Sequence, residues 1–201
     1  MNTGPLIVAL TGASGTIYGV RLLQVLKELG VETHGIVTRA AVANLKLEMS
    51  LNEEHLNKLC TKMYDERDIG ANLASGSFLT QGMVIIPCST RTLAGVAHGF
   101  SDNLVLRAAE VCLKERRKLV LVQRETPLSL IHLRNMVSAA EAGAIILPAM
   151  PGFYHRPNDI QALVDHVVGK VLDAFTIQHS LFRRWTGEQA GGLTSKQRRL
   201  C

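Results

Sequence analysis

The sequence predicts an α/β three-layer sandwich built around a mostly parallel sheet. Three observations predict it. Short, β-branched apolar runs recur five times, and each reads as a strand buried on both faces. A longer stretch with helical apolar spacing follows each run. Glycine, hydroxyl and charged residues gather directly after the runs, where strand-to-helix turns belong. The 201 residues, 47% hydrophobic and 19% charged, supply one sizeable core and too little chain for two. One domain is therefore expected over residues 1–185. Beyond it, residues 186–201 turn to Gly, Gln, Ser and Lys and read as a flexible tail, or an arm that orders against another subunit.

The first strand is expected at residues 5–10. It runs into Thr11-Gly12-Ala13-Ser14-Gly15 and a helix over 16–29, closed by Gly30. Strand, glycine-rich turn and helix form an anion-binding arrangement, because the first amides of a helix are unpaired and its dipole favours negative charge. The same turn also reads as a purely structural one, with Ser14 helping to cap the helix. A second strand at 31–38 ends in Thr38-Arg39, and a helix follows to about Glu48. Ser50 and Glu53 match a capping box opening another short helix. Residues 61–82 are polar and irregular, a long excursion of the functional or mobile kind.

The third strand, 83–86, leads into Pro87-Cys88-Ser89-Thr90-Arg91-Thr92 and a helix to about Ala97. The next helix, capped within Ser101-Asp102-Asn103, runs to about Arg117. On it Arg107 and Lys114 are seven residues apart and share a face. Spacing alone leaves a solvated basic face and a ligand grip both open there, whereas Arg116, Arg117 and Lys118 read as solvated. The fourth strand, 119–123, reaches Arg124-Glu125, and a helix over 128–142 stops at Gly143. The fifth strand is expected at 144–147. A loop with three prolines, 148–157, and a helix over 159–175, capped by Asn158 and carrying Lys170 on its polar side, complete the set.

Ligands of open parallel sheets bind beyond the carboxyl ends of the strands. Gly12, Ala13, Ser14, Thr38, Ser89, Thr90, Arg91, Thr92, Arg124 and Glu125 all fall there. Hydroxyls, arginines and one carboxylate suit an anionic ligand such as a phosphorylated heterocycle. Neither GxGxxG nor a GxxxxGK[ST] loop is present, so a nucleoside triphosphate is not expected. There is no GxSxG elbow, and Cys88 has no histidine near it in sequence; it reads as a packed strand-end cysteine rather than a nucleophile. Glu125 reads either as a structural partner of Arg124 or as a proton carrier.

Cys60, Cys88, Cys112 and Cys201 lack CxxC spacing and clustered histidines, which argues against a zinc site or a disulfide framework. A net charge of +5, carried largely by Arg183, Arg184, Lys196, Arg198 and Arg199, permits a phosphate partner. Interleaved aromatics and nucleic-acid motifs are missing, so nucleic acid is not expected. No apolar run is long enough for a membrane span and no signal core opens the chain, so a cytoplasmic protein with no membrane partner is expected.

Several long motifs stand in the order of a known family: GASG at 12–15, SGSF at 75–78, PCSTRTLAG at 87–95, DNLVLRAAEVCLKERRKLVLVQRETPL at 102–128, IHLRNM at 131–136 and PGFYHRP at 151–157. Over residues 6–185 the chain resembles the UbiX/Pad flavin prenyltransferases, known also as the small B subunit of phenolic or hydroxyarylic acid decarboxylases. The resemblance implies an FMN-binding, flavodoxin-like or Rossmann-like fold assembled into a homododecamer. It implies metal-independent transfer of a dimethylallyl group from dimethylallyl monophosphate to N5 and C6 of reduced FMN, and hand-over of the prenylated FMN to a UbiD-type decarboxylase.

Carried over by position, Gly12, Ala13, Ser14, Thr38, Ser89, Thr90, Arg91, Thr92 and Arg124 are implied to hold FMN. Arg107, Lys114, Tyr154 and Lys170 are implied to grip the prenyl phosphate, and Glu125 with Ser14 to manage protons. Position 170 is Lys where the family has Arg, which keeps the charge and loses the bidentate fork. Position 38 is Thr where Ser is usual. FMN-dependent cysteine decarboxylases share the fold, but they carry a PASANT-like motif where this chain has PCSTRT. A non-catalytic FMN-carrying accessory subunit is the remaining alternative, and it would not need the phosphate-gripping residues.

Overall fold

The computed structural model describes residues 4–185. The expected tail at 186–201 lies outside the described residues. Six strands form one sheet: β1 (Leu6–Leu10), β2 (Thr33–Val37), β3 (Lys62–Asp65), β4 (Gly82–Cys88), β5 (Lys118–Gln123) and β6 (Ile145–Ile146). Their order is β3-β2-β1-β4-β5-β6 and every neighbouring pair is parallel. Seven helices accompany them: α1 (Thr16–Glu28), α2 (Arg39–Met49), α3 (Glu53–Asn57), α4 (Thr90–Ala97), α5 (Leu104–Lys114), α6 (Leu130–Glu141) and α7 (Ile160–Ala174).

Strand alternation sorts the core into two halves. Leu6, Val8, Leu10, Val84, Ile86, Val120 and Val122 face one side, where they pack under α1, α2 and α7. Ile7, Ala9, Met83, Ile85, Leu119 and Leu121 face the other, under α4, α5 and α6. Because both faces are covered, β1, β4 and β5 carry unbroken apolar stretches, Leu6–Leu10, 83–86 and 119–122, which is why they are legible as continuous runs.

The third strand in chain order was not expected. β3 lies in the stretch read as irregular; its Lys62 and Asp65 are exposed, and an edge strand so polar carries no alternating apolar signal. The rest of that stretch is pinned rather than solvated. Arg107 Nε donates to Ala74 O at 3.1 Å, and Arg117 donates to the carbonyls of Phe78 and Gly76. Arg117 is therefore half-buried and structural, against the solvated reading, and Lys118 likewise donates to Ala174 O. Two caps shift and a third, expected within 101–103, resolves to one residue. Asn52 with His55 forms the capping box of α3 while Ser50 ends α2 with φ 55°, Asn103 caps α5, and Asp159 rather than Asn158 caps α7. The fifth expected strand shrinks to Ile145–Ile146, with Leu147 bonded only through its amide to Leu121 O.

Helix α1 lies unusually close to the sheet. A Cβ on Gly19 would stand 2.5 Å from Ile86 O and 2.7 Å from the Leu10 side chain. Gly19→Ala is therefore expected to push α1 off β1 and β4 at a cost of about 1–3 kcal/mol. Thermal unfolding followed by circular dichroism will show it as a midpoint lowered by roughly 3–10 °C.

Candidate active site

The strand order reverses between β1 and β4: the chain leaves β1 toward β2 and β3, then returns to the other flank of β1. Such a switch point leaves a crevice beyond the carboxyl ends of the two strands. Here one residue ties its walls together. Thr11, 1% exposed, donates its amide and its hydroxyl to Pro87 O at 3.2 and 2.8 Å, and its hydroxyl accepts from Ser89 N at 2.8 Å. The Gly12–Ser14 turn and the Ser89–Thr92 turn are thereby locked side by side. Thr38 N bonds Leu10 O, Arg124 N reaches Cys88 O, and Ala149 N bonds Gln123 O, which continues the tie along the whole edge.

The hydroxyls expected to bind a ligand also cap helices. Thr38 Oγ1 accepts from Ala41 N at 3.2 Å, and Ser89 Oγ accepts from Thr92 N at 3.2 Å while lying 3.0 Å from Thr92 Oγ1. A cap uses the oxygen lone pairs and leaves hydroxyl hydrogens to donate to an anion. Arg91, with an 80% exposed side chain, is held by Asp102 at 2.9 Å at the mouth of the crevice. Cys88 is fully buried and burial pushes its thiol up to about 12, which makes it a packing residue.

The N-termini of α1, α2 and α4 at this edge are not equivalent. At α1 the Glu48 carboxylate accepts from Gly15 N (3.0 Å), Thr16 N (2.8 Å) and Thr16 Oγ1 (2.7 Å), with the Ser14 side chain close by. The anion position that the GASG turn offers is thus filled from within the chain, and Ser14 does not cap the helix. Glu66 meets Arg39 N at the start of α2. At α4 the cap is a neutral serine, so this terminus meets no carboxylate in its cap. Burial raises the Glu48 carboxyl, but the bonds from Ser14, Thr16 and Gly15 outweigh it and hold the carboxyl below its ordinary value. Sequence reasoning missed Glu48: it sits in the last turn of α2, far along the chain from Ser14, and no spacing rule joins them.

Beyond β5 and β6 lies a cavity of about 450 Å³ lined by Gln123, Arg124, Glu125, Thr126, Leu128, Ala149 and Met150. Arg124 Nε donates to Ser14 O at 3.1 Å, so the cavity adjoins the crevice. Glu125 accepts from the amide of Thr126 at 2.9 Å and is half-buried, while Arg124 is turned to Ser14; the two do not form the structural pair the sequence allowed. Gln123 is 2% exposed and its Nε2 has no partner among the described residues, an orphaned donor at the wall of this cavity. Larger hollows of about 520 and 640 Å³ open at the amino edge of the sheet, away from every switch-point hydroxyl. A phosphorylated flat heterocycle fits the donor set at the carboxyl edge: free hydroxyl hydrogens at a helix N-terminus, a guanidinium, and a partly apolar slot with an unused amide donor.

The expected phosphate-gripping residues divide into two groups. Tyr154 and Lys170 lie by α7: Tyr154 Oη is 3.1 Å from His166 Nε2, and Lys170 Nζ is 3.7 Å from Asp173. Arg107 and Lys114 lie on α5, across the sheet, where Arg107 pairs with Glu110 at 2.8 Å and Lys114 with Glu115. The two core halves separate α5 from α7, so a single chain does not bring these four side chains together. Among the described residues no group of three or more His, Cys, Asp or Glu side chains is placed to hold a metal ion.

Comparison with known proteins returns one consistent picture. The family model described as Flavoprotein matches residues 1–185. The chain is 51% identical over 185 residues to the flavin prenyltransferase UbiX of Escherichia coli K12, covering 90% of this chain and 98% of that one. The crystal structure of AnUbiX (PadA1) in complex with FMN and dimethylallyl pyrophosphate superimposes with a TM-score of 0.90 at 44% identity, over 92% and 98% of the two chains. A dodecameric FMN-dependent UbiX-like decarboxylase from E. coli O157:H7 gives 0.89 at 47% identity, over 91% and 100%.

The Glu48 contacts set a pH dependence. A carboxyl held below its ordinary value adds stability above that value and loses it as pH falls through the folded one. Glu48→Gln is expected to cost about 0.5–1 kcal/mol at neutral pH, a helix-terminus interaction at an exposed side chain. Urea unfolding across a pH series will show the gap between the variant and the parent closing on the acid side of the carboxylate range.

Proposed function

The chain belongs to the Flavoprotein family, within the UbiX flavin prenyltransferases, and from that membership we propose how its own residues carry the reaction. It is a flavin prenyltransferase. Reduced FMN, when bound, supplies N5 and C6 as the atoms that accept the dimethylallyl group. The observation that carries the residue assignments is the locked switch point, where a carboxylate-free helix terminus, the Ser14–Glu48 pair and Arg124 stand side by side.

Ser89, Thr90, Arg91 and Thr92 hold the FMN phosphate at the start of α4, where amides and hydroxyl hydrogens meet no competing carboxylate. Thr38 adds its hydroxyl from β2. Gly12, Ala13 and Ser14 line the approach to the ring, and Arg124 holds its polar edge from the cavity side. Ser14 presents its hydroxyl toward the ring as a relay for protons, beside Glu48, which stays a carboxylate at neutral pH and holds the turn. Glu125, at the wall of the adjoining cavity, is the second proton carrier. Leu128, Ala149 and Met150 cover the allyl chain and exclude water.

The donor is dimethylallyl monophosphate. As its allylic C–O bond ionises, charge grows on the departing phosphate, and preplaced cations with a hydroxyl donor stabilise that charge. Tyr154 and Lys170 grip it from their own chain. Arg107 and Lys114, on the opposite side of the sheet, reach it from a neighbouring subunit, so the complete site belongs to an assembly, read as a homododecamer. One FMN-binding unit over residues 1–185 acts in the cytoplasm and passes prenylated FMN to a UbiD-type decarboxylase. No helix among the described residues is long and apolar enough to cross a membrane.

The deciding experiment is anaerobic. FMN bound to the protein is reduced, dimethylallyl monophosphate is added, and the extracted flavin is weighed by mass spectrometry. A gain of one C5H8 unit is expected; unmodified FMN with saturated protein would point to an FMN carrier instead. Glu125→Gln is expected to retain FMN, read from its absorbance after gel filtration, and to slow single-turnover formation of the product by about 10²-fold or more. Parental rates in that variant would remove Glu125 from the mechanism.

A further inference from the structure

His166, on α7, is 6% exposed and makes two polar contacts that together dictate its proton. Gly152 N lies 3.2 Å from Nδ1, and Tyr154 Oη lies 3.1 Å from Nε2. A backbone N–H can only donate, so Nδ1 must present its lone pair. The neutral ring then carries its hydrogen on Nε2, which donates to the tyrosine oxygen. The ring is held from both sides: His155 stacks on it at 5.0 Å and 3°, and Phe182 lies 4.8 Å away. Burial, followed by the nearby His155 and Lys170 charges, disfavours the imidazolium, and Asp173 opposes them only in part.

We infer that His166 is a positioning residue for the phosphate grip: by donating Nε2–H to Tyr154 Oη, it aims the single phenolic hydrogen outward, toward a phosphate oxygen. The inference rests on the reading of Tyr154 as a phosphate-binding residue. A phenol oxygen that accepts a hydrogen bond is polarised into a stronger donor, so the contact sharpens both direction and strength. Tyr154 is 44% exposed, and its ring is steadied edge-on by Trp185 at 6.0 Å, so its hydroxyl can meet a ligand from outside. Lys170 follows His166 by four residues on α7, so the two side chains stand on one face of the helix, with Lys170 paired to Asp173. Nothing in the sequence marks His166, since a lone histidine in an apolar helix reads as core.

The test is calorimetric titration of dimethylallyl monophosphate into protein loaded with oxidised FMN, which does not accept the allyl group. His166→Phe keeps the ring stack and removes both polar contacts; it is expected to weaken binding about tenfold, the size of one hydrogen bond to a charged group. Tyr154→Phe is expected to weaken it at least as much. The double variant should bind no worse than Tyr154→Phe alone, and His166→Gln, whose amide both donates and accepts, should recover part of the loss.

Parental affinity in His166→Phe beside weak binding in Tyr154→Phe overturns the positioning role and leaves the tyrosine reading intact. A full further loss in the double variant also overturns it, since His166 would then act through packing. Parental affinity in Tyr154→Phe overturns the tyrosine reading itself. Nitrogen-15 NMR of histidine-labelled parent protein needs no variant to fold: an Nε2–H tautomer at His166 supports the inference, and an Nδ1–H tautomer ends it.

Discussion

The Thr11 hydroxyl at the junction of β1 and β4 is the contact on which the site depends. It donates to one turn's carbonyl and accepts from the same turn's amide, so two loops that are distant in sequence become one rigid wall. At 1% exposure, losing it would leave Ser89 N and a share of Pro87 O without a partner, at about 1–3 kcal/mol for each orphaned group. The strand order supplies the crevice and this threonine sets its width. Every other feature of the site, from the caps of α2 and α4 to the reach of Arg124, is measured from that edge.

Charge is distributed along the edge with equal economy. Helix termini attract anions, and the chain meets two of them with its own carboxylates, Glu48 at α1 and Glu66 at α2. The α4 terminus is capped by a neutral hydroxyl instead, and the carboxylate near it, Asp102, is engaged by the Arg91 side chain. The carboxylate at α1 thereby closes that terminus from within the chain and fixes the turn before it.

The cations obey a different constraint. A two-faced sheet must cover both faces with helices, and α5 and α7 fall on opposite ones. The side chains proposed to share one phosphate are thereby kept apart within a chain, and symmetric assembly is a route by which opposite faces of identical subunits meet. On α5 Arg107 also holds the 74–78 loop, together with Arg117 just beyond the helix, so that helix joins local architecture to any intersubunit role.

Much was legible in the sequence, for a physical reason: strands buried on both faces need unbroken apolar runs, and parallel strands need helices between them, so β1, β2, β4 and β5, the three-layer class and the carboxyl-edge clusters at 12–14 and 89–92 can be read without coordinates. Edge strands have no such obligation, which hid β3 and shortened β6. Contacts between residues far apart in the chain leave no periodic trace. Only the tertiary structure placed Glu48 on the α1 terminus, turned Arg117 from solvent to loop carbonyls, released Arg124 from Glu125, and set His166 behind Tyr154. Local pattern determines which elements form and which face each buries; the pairing of polar groups across elements is decided by how those elements pack.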